Sequence, residues 1–304
     1  MKDSIIQFVS ILYHYDENHI LAWKDFSVPV VLFVPKEHFS TVTELLKPCT
    51  NIQIHVVPEY ESMPWFYRGE ETLQLPTVRN EEKDTIHYIW HTHQKVFCLQ
   101  QAMEYHDFLY GAYLDFHAPY ELLHDSSTIE FIHKTFKYRQ NYNLYVQHNN
   151  RMHIPGCWGE PDDVNHVDFA NNVHWRFCGS FLFGSKQAIH KMYDLYSEYF
   201  IEYLQSHEFT LTWDVNIWAY FEKTVEDWEP LWYVANHDDS LILSLPNVFQ
   251  YCILAENDYF TAMVYDYPNY SPYHPMSTSY IDYNGLHCLN TRYVNYWIYE
   301  GGAY

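Results

Sequence analysis

An apolar segment in the first half of the chain ends in residues that could bind a metal ion. Leu109–Phe116 (LYGAYLDF) is apolar until Asp115, and His117 follows two positions later. At the carboxyl end of a parallel strand, where ligands bind in open α/β sheets, two such residues can point the same way and share one ion. Carboxylate oxygen suits Mg²⁺ or Mn²⁺, and imidazole is better accepted by Mn²⁺. The structural alternative is that Asp115 caps a turn and His117 lies on the surface.

A second pattern, Trp175–Gly184 (WRFCGSFLFG), combines a cation with two glycines. Gly179, which precedes Ser180, and Gly184 would let a ligand approach the backbone closely. Arg176 supplies a fixed positive charge in an acidic protein. The alternative is a strand kinked at one glycine, with the second glycine starting a turn.

The segment Leu211–Trp218 (LTWDVNIW) places Asp214 at the start of a predicted helix. In a functional interpretation, Asp214 faces a substrate hydroxyl and Trp213 is a stacking platform for a sugar. In a structural interpretation, Thr212 caps the helix and the helix dipole favours the carboxylate in the first turn.

Histidines supply two further candidates. Asn236–Ser240 (NHDDS) lies between two predicted strands, so His237 is either a third metal ligand, a phosphate contact or part of a solvated turn. His91 and His93 follow the apolar segment Ile86–Trp90, and an H-x-H pair at a strand end can bind zinc in hydrolases. A metal-dependent hydrolase would use four ligands: His91, His93, Asp115 and His237. Lys95 begins a predicted helix, where a phosphate contact is favoured.

Apolar runs and periodicity predict the elements that position these residues. The first third alternates strands with helices, which favours right-handed crossovers and a mainly parallel sheet. The predicted strands are Ser4–Tyr13, Val28–Val34, Asn51–Val57, Leu109–Phe116, Val173–Phe183, Leu231–Ala235 and Leu241–Leu245. The predicted helices are Glu37–Leu46, Lys95–Tyr105, Thr128–Tyr138, Ser185–Leu204 and Asp214–Phe221. The residues beyond are rich in tyrosine and predicted to be irregular.

Composition limits the class of protein. The 304 residues carry 17 Lys and Arg against 39 Asp and Glu, a net charge of −22, which excludes a general binder of nucleic-acid backbones. Hydrophobic residues make up 48% and aromatic residues 19%, so a substantial core is expected. No apolar stretch is long enough to span a membrane. The six cysteines, at scattered positions without zinc-finger spacing, are predicted to be buried free thiols in a cytoplasmic protein.

The order of these patterns resembles the GT-A glycosyltransferases, and more closely the HtrL/YibB-like proteins of bacteria and large DNA viruses. The resemblance rests on five segments: LDF at 114–116, WRFCGSFLFG at 175–184, LTWDVNIWAYFE at 211–222, HDDSLI at 237–242 and LNTRYVNYW at 289–297. It implies a Rossmann-like α/β fold in a single domain, 1–304, with a nucleotide-sugar half at 1–124 and an acceptor half at 125–304. One departure is that His117 stands where that fold has a second acidic metal ligand.

The resemblance also implies roles for the candidate residues. The activity would be transfer of a sugar from a nucleotide-diphosphate sugar, such as a UDP-sugar, to a glycan or other hydroxyl acceptor. The metal, Mn²⁺ or Mg²⁺, would be held by Asp115, His117 and His237. The donor would contact Lys95, Asp115, Arg176 and His237. The acceptor would contact Gly179, Ser180, Trp213 and Trp218, with Asp214 as catalytic base. A non-catalytic sugar-binding protein remains an alternative because of the aromatic content.

Overall fold

The computed structural model describes residues 6–26, 28–106, 108–121, 151–159, 168–238 and 240–242 in full, and the backbone of Leu243. For the strands within 278–281, 286–290 and 295–299 it describes the backbone. The predicted helix Thr128–Tyr138 lies outside the described residues. So does Arg292, which the sequence predicts to pair with a carboxylate or the nucleotide from an ordered segment, Leu289–Trp297, on the catalytic face.

A mainly parallel sheet forms the centre of the molecule. Within the described residues it has seven strands: β1 (Ile6–Ile11), β2 (Val30–Val34), β3 (Ile52–Val56), β4 (Tyr110–Leu114), β5 (His153–Gly156), β6 (Phe181–Ser185) and β7 (Leu231–Val234). Their order is β3-β2-β1-β4-β6-β5-β7, with β6 antiparallel to both of its neighbours and the other pairs parallel. This confirms the predicted α/β, Rossmann-like fold class.

The central strands are buried on both faces, which explains their continuous apolar sequences. All residues of β1, β2 and β4 are buried, whereas β3, at the sheet edge, is only partly buried. The main helices are α1 (Glu17–Ala22), α2 (Phe39–Leu46), α3 (Ile86–Tyr105), α4 (Ala118–Glu121), α5 (Lys186–Ser206), α6 (Asp214–Thr224) and α7 (Ser240–Leu243). Two hydrophobic clusters cover the opposite faces of the sheet, one including residues of α3, α5 and α6 and the other residues of α1 and α2.

Two helices pack so closely on β4 that a larger residue in place of one of its glycines would displace their side chains. A Cβ atom on Gly111 would lie 2.8 Å from the sulfur of Met103 and 2.9 Å from side-chain carbons of Ile189 and Leu99. These side chains belong to α3 and α5, so the strand that leads to Asp115 is fixed between the sheet and both helices.

Several predicted boundaries were wrong. Helix α3 begins at Ile86, after a cap in which the Thr85 hydroxyl accepts from the Tyr88 backbone N–H at 3.2 Å. His91, His93 and Lys95 therefore lie inside a helix, neither at a strand end nor at a helix start.

Two further differences concern strands. The segment predicted as the strand Leu241–Leu245 begins with α7, and the strand predicted over 173–183 forms only from Phe181. The tail, predicted to be irregular, contains an antiparallel sheet of β8 (Thr278–Ile281), β9 (Leu286–Asn290) and β10 (Asn295–Tyr299).

Among the described helices, none combines the length and the apolar character that crossing a membrane requires.

Candidate active site

A cavity of about 530 Å³ opens at the carboxyl ends of β1 and β4. This is the edge at which open α/β sheets bind ligands. Helix α3 forms one wall, and the turn after β4 forms another. The lining residues that matter below are Tyr13, Lys83, Tyr88, His91, Thr92, Lys95, Asp115, His117, Glu121, Ser180 and His237. Five residues predicted for a glycosyltransferase site thus line one cavity, namely Lys95, Asp115, His117, Ser180 and His237, and so does His91 of the hydrolase hypothesis.

Asp115 is held by backbone contacts at the end of β4. Its N–H donates to the carbonyl of Ser180 at 2.8 Å, which ties it to the segment that enters β6. Its Oδ1 accepts from the N–H of His117 at 3.2 Å, and its carbonyl accepts from Ala118. The side chain therefore both shapes the turn and remains partly exposed to the cavity.

The metal ligands predicted from the sequence do not come together as a set. Within the described residues, Asp115, His117 and His237 are not among the groups whose ligand atoms all lie within 4.8 Å of one another. His117 instead joins His19 of α1 and Glu121 of α4 in such a group. The Nδ1 atoms of His19 and His117 are hydrogen-bonded. The sequence did not reveal this cluster because His19 lies 98 residues before His117.

An aromatic wall faces these polar groups. The Tyr13 ring, 41% exposed at the end of β1, meets Tyr88 edge-on at 5.3 Å and lies 4.4 Å from the ring of His91. Burial raises the pKa of Tyr88 to about 12 and lowers that of His91 to about 3, so both side chains are neutral at pH 7. Of the three, only His91 was predicted, as a metal ligand of a hydrolase. Of the other two, Tyr13 alone carried a signal, since it follows a buried strand at a carboxyl end.

Lys95 and Asp214 form a buried ion pair beneath the cavity. Lys95 Nζ donates to Asp214 Oδ2 at 2.8 Å and to the carbonyl of Gly179 at 3.0 Å. Burial alone would lower the pKa of Lys95, but the carboxylates of Asp214 and Asp115 outweigh it and raise that pKa. The lysine is therefore a cation at neutral pH. Burial raises the pKa of Asp214, and the charge of Lys95 acts against that effect.

Asp214 begins α6, as predicted, but it does not line the cavity. The side chain is 4% exposed and its Oδ1 accepts from the Val215 N–H at 3.0 Å. Gly179 is required next to the pair, because a Cβ there would lie 2.8 Å from Lys95 Nζ and 3.3 Å from Asp214 Oδ2. Gly179 thus makes room for the ion pair.

Arg176 and the two tryptophans lie away from the cavity. Arg176 is fully buried, and its guanidinium binds both carboxylate oxygens of Glu222 at 2.9 Å and packs over the ring of Trp232. Trp218 is also buried and donates to the Tyr196 hydroxyl at 2.6 Å. Trp213 is half-buried and packs against the core. Placing Arg176 against the donor and Trp218 against the acceptor is therefore not consistent with this geometry.

The hydrolase hypothesis loses one of its four ligands. His93 is fully buried, and its Nε2 donates to the carbonyl of Thr212 at 2.8 Å. Its ring lies among Trp90, Tyr196 and Phe200. The side chain faces the core between α3 and α5, while His91 faces the cavity.

The chain was also compared with known proteins. No model of a protein family matches it and no curated protein matches it, so the HtrL/YibB-like resemblance remains a prediction. Solved structures that are similar include a 4-diphosphocytidyl-2C-methyl-D-erythritol synthase from Anaerococcus prevotii, at 10% identity and a TM-score of 0.39 over 77% of this chain and 90% of that one. Mouse xyloside xylosyltransferase 1 in its apo form gives 10% identity and a TM-score of 0.45 over 77% and 85% of the two chains.

Proposed function

We propose that the chain is a glycosyltransferase that takes a sugar from a nucleotide-diphosphate sugar, such as a UDP-sugar, and transfers it to a glycan or other hydroxyl acceptor. The observation that carries the proposal is the cavity at the ends of β1 and β4, which combines an aromatic wall with Asp115 and His117. An aromatic surface suits a nucleobase, and a metal-binding group suits a diphosphate.

The nucleoside would lie against Tyr13 and Tyr88. A base can stack on an exposed tyrosine ring, and Tyr13 is the exposed member of the pair. The first three strands contribute little else to this surface, since among the lining residues only Ile11 and Tyr13 come from that part of the chain. The diphosphate would then extend toward Lys83 and the turn after β4.

Of three side chains that could hold a divalent cation, His117 and Glu121 line the cavity and His19 joins them from α1. Two imidazoles and one carboxylate, from His19, His117 and Glu121, converge beside Asp115, and mixed nitrogen and oxygen ligands favour Mn²⁺ over Mg²⁺. A bound cation would neutralise charge on the departing diphosphate. The cavity needs such a charge, because Glu82, Asp115 and Glu121 also line it and would repel phosphate.

The acceptor side would be formed by the segment around Ser180, which lines the cavity opposite α3. The general-base role of Asp214 remains a prediction, and the geometry favours a positioning role. The Lys95 ammonium has three N–H donors. One donates to Asp214 and another to the carbonyl of Gly179. Since Lys95 lines the cavity, its charge is available to an anionic donor or leaving group.

The two proposed halves contribute unequally to the cavity. Only Ser180, His237 and Leu241 among its lining residues come from beyond residue 124. The division into a nucleotide-sugar half at 1–124 and an acceptor half at 125–304 stays a proposal.

A thermal-shift experiment on the full chain tests the proposal. UDP, GDP and CDP would be titrated with and without Mn²⁺. A ligand at 100 times its Kd should raise the free energy of unfolding by about 2.7 kcal/mol, and Mn²⁺ should increase that effect. Asp115→Ala should remove the response, whereas Glu44→Ala, at an exposed carboxylate of α2, should keep it.

A wild-type chain that shows no shift with any nucleotide would contradict the proposal. Nucleotide binding without release of nucleotide from any sugar donor, in the presence of hydroxyl acceptors, would instead indicate a binding protein.

A further inference from the structure

Two thiols and an imidazole converge at the edge of the sheet beside the cavity. Cys157 follows β5, Cys178 precedes β6 and His237 follows β7, and their ligand atoms all lie within 4.8 Å of one another. The proposed nucleotide-sugar site gives no role to the two cysteines. His237 lines the cavity of that site. Sequence spacing could not reveal the cluster, because three separate loops build it.

Backbone hydrogen bonds hold these loops in place. The backbone N–H of Cys178 donates to the carbonyl of Pro155 at 2.7 Å. The backbone N–H of Cys157 donates to the carbonyl of Trp175 at 3.1 Å. The loop after β7 is fixed by the backbone N–H of Ala235, which donates to the carbonyl of Gly156 at 3.0 Å. The cluster is thus positioned by the sheet.

The spacing of the sulfur atoms indicates what could lie between them. Cys157 Sγ and Cys178 Sγ are 3.5 Å apart, well beyond a disulfide bond of about 2.05 Å. Two thiolates bound to tetrahedral zinc at about 2.3 Å would be about 3.8 Å apart. Thiolate and imidazole are the ligands that zinc prefers, and two thiolates balance its charge.

We propose that Cys157, Cys178 and His237 bind one zinc ion. Three protein ligands leave the fourth tetrahedral position for water or another ligand. The ion would join the ends of β5 and β7 to the entry of β6 and would fix His237 at the cavity wall. The proposal does not depend on the proposed glycosyltransferase activity.

Metal content and cobalt spectroscopy test it on the full chain. Protein purified under reducing conditions with added Zn²⁺ should retain one zinc per chain after gel filtration, measured by mass spectrometry. The Co²⁺-substituted protein should show thiolate-to-cobalt charge-transfer absorption. Because changes to outer-shell partners already weaken metal binding about 10–100-fold, Cys157→Ser and Cys178→Ser should each weaken zinc affinity more than about tenfold.

The control variant is Cys49→Ser, at a half-buried free thiol outside the cluster, which should keep wild-type zinc affinity. His237→Ala changes an exposed side chain, so it should fold normally while its cobalt spectrum shifts. Three results would overturn the proposal: no charge-transfer absorption in the wild type, wild-type affinity in the two cysteine variants, or a Cys157–Cys178 disulfide in the zinc-treated protein. None of them depends on nucleotide binding, so the two proposals can fail separately.

Discussion

Tyr13 is a large, partly exposed ring at the end of a fully buried strand. It packs on Tyr88 and His91 and leaves one face toward the cavity. A ring that is already held by neighbours loses little conformational entropy when a ligand stacks on it. The side chain is therefore suited to bind a planar group.

We expect Tyr13→Ala to weaken nucleotide binding and Tyr13→Phe to preserve it. Stacking of a base on an aromatic ring contributes about 1–3 kcal/mol, and the hydroxyl is not needed for it. Isothermal titration of UDP in the presence of Mn²⁺ measures the effect. Tyr105→Ala is the matched control, since Tyr105 is exposed and stacks on His55 away from the cavity. Equal affinities of Tyr13→Ala and wild type would place the base elsewhere.

For Arg176 we expect a loss of stability without a loss of nucleotide affinity. Arg176→Gln leaves Glu222 as a buried carboxylate without its bidentate partner, which should lower the free energy of unfolding by about 3–5 kcal/mol. Urea denaturation measures this. Nucleotide affinity should be that of the wild type, and Glu222→Gln should give a similar loss of stability. A selective loss of affinity in Arg176→Gln would restore the phosphate contact predicted from sequence.

The sequence predicted strand-end residues better than buried ones. Asp115 and His117 were found because position on a parallel strand determines where a side chain emerges. Arg176 and Trp218 were predicted to contact the donor and the acceptor because a guanidinium suits a phosphate and an indole ring suits a sugar. Their partners, Glu222 and Tyr196, are brought to them by tertiary packing, which residue type and local spacing do not encode.

At the scale of elements, α3 is the helix on which the cavity depends. Tyr88, His91, Thr92 and Lys95 all line the cavity and follow the i, i+3, i+4, i+7 spacing of one helix face. The sequence did not predict this, because the helix carries polar residues such as His93 on its buried side and so lacks a clear apolar stripe.

The Lys95–Asp214 ion pair, which joins α3 to α6, should behave as a coupled unit. Asp214→Asn or Lys95→Met alone leaves one buried charge unpaired. Each change should lower the free energy of unfolding by about 3–5 kcal/mol. The double variant should lower the free energy of unfolding by less than the sum of the two single changes. Urea denaturation of all four chains gives the coupling energy. Strict additivity would mean that the pair contributes no net interaction.

Turnover of the same Asp214→Asn sample separates positioning from base catalysis. Loss of a general base should lower turnover about 10²–10⁴-fold at unchanged donor affinity. A positioning role predicts that Asp214→Asn and Lys95→Met lower donor affinity together.

At the scale of the whole molecule, buried histidines should make the fold sensitive to acid. Burial lowers the pKa of His91 and His93 to about 3, whereas an unfolded chain binds these protons near pH 6.5. Below pH 6.5 the unfolded state therefore binds more protons than the folded state, and stability falls as the pH drops toward 3. Each histidine should contribute up to about 1.4 kcal/mol per pH unit in this range.

Urea denaturation between pH 7 and 4 measures this slope. His93→Gln can still donate to the Thr212 carbonyl but takes up no proton, so its slope should be smaller than that of the wild type by about 1.4 kcal/mol per pH unit. His14→Gln, at an exposed position, is the control and should retain the wild-type slope. An unchanged slope in His93→Gln would show that other groups cause the acid sensitivity.

The contacts beneath and around the cavity have a consequence for how the chain folds. Lys95 and Asp214 are 119 residues apart, Lys95 and Gly179 are 84 apart, and His19 and His117 are 98 apart. Contacts between distant segments slow folding, because the entropy of closing long loops is lost before the contacts form. A ribosome that has released only the first half of the chain has exposed most of the cavity-lining residues but not Asp214. Until synthesis has passed α6, Lys95 therefore lacks the carboxylate that pairs with it.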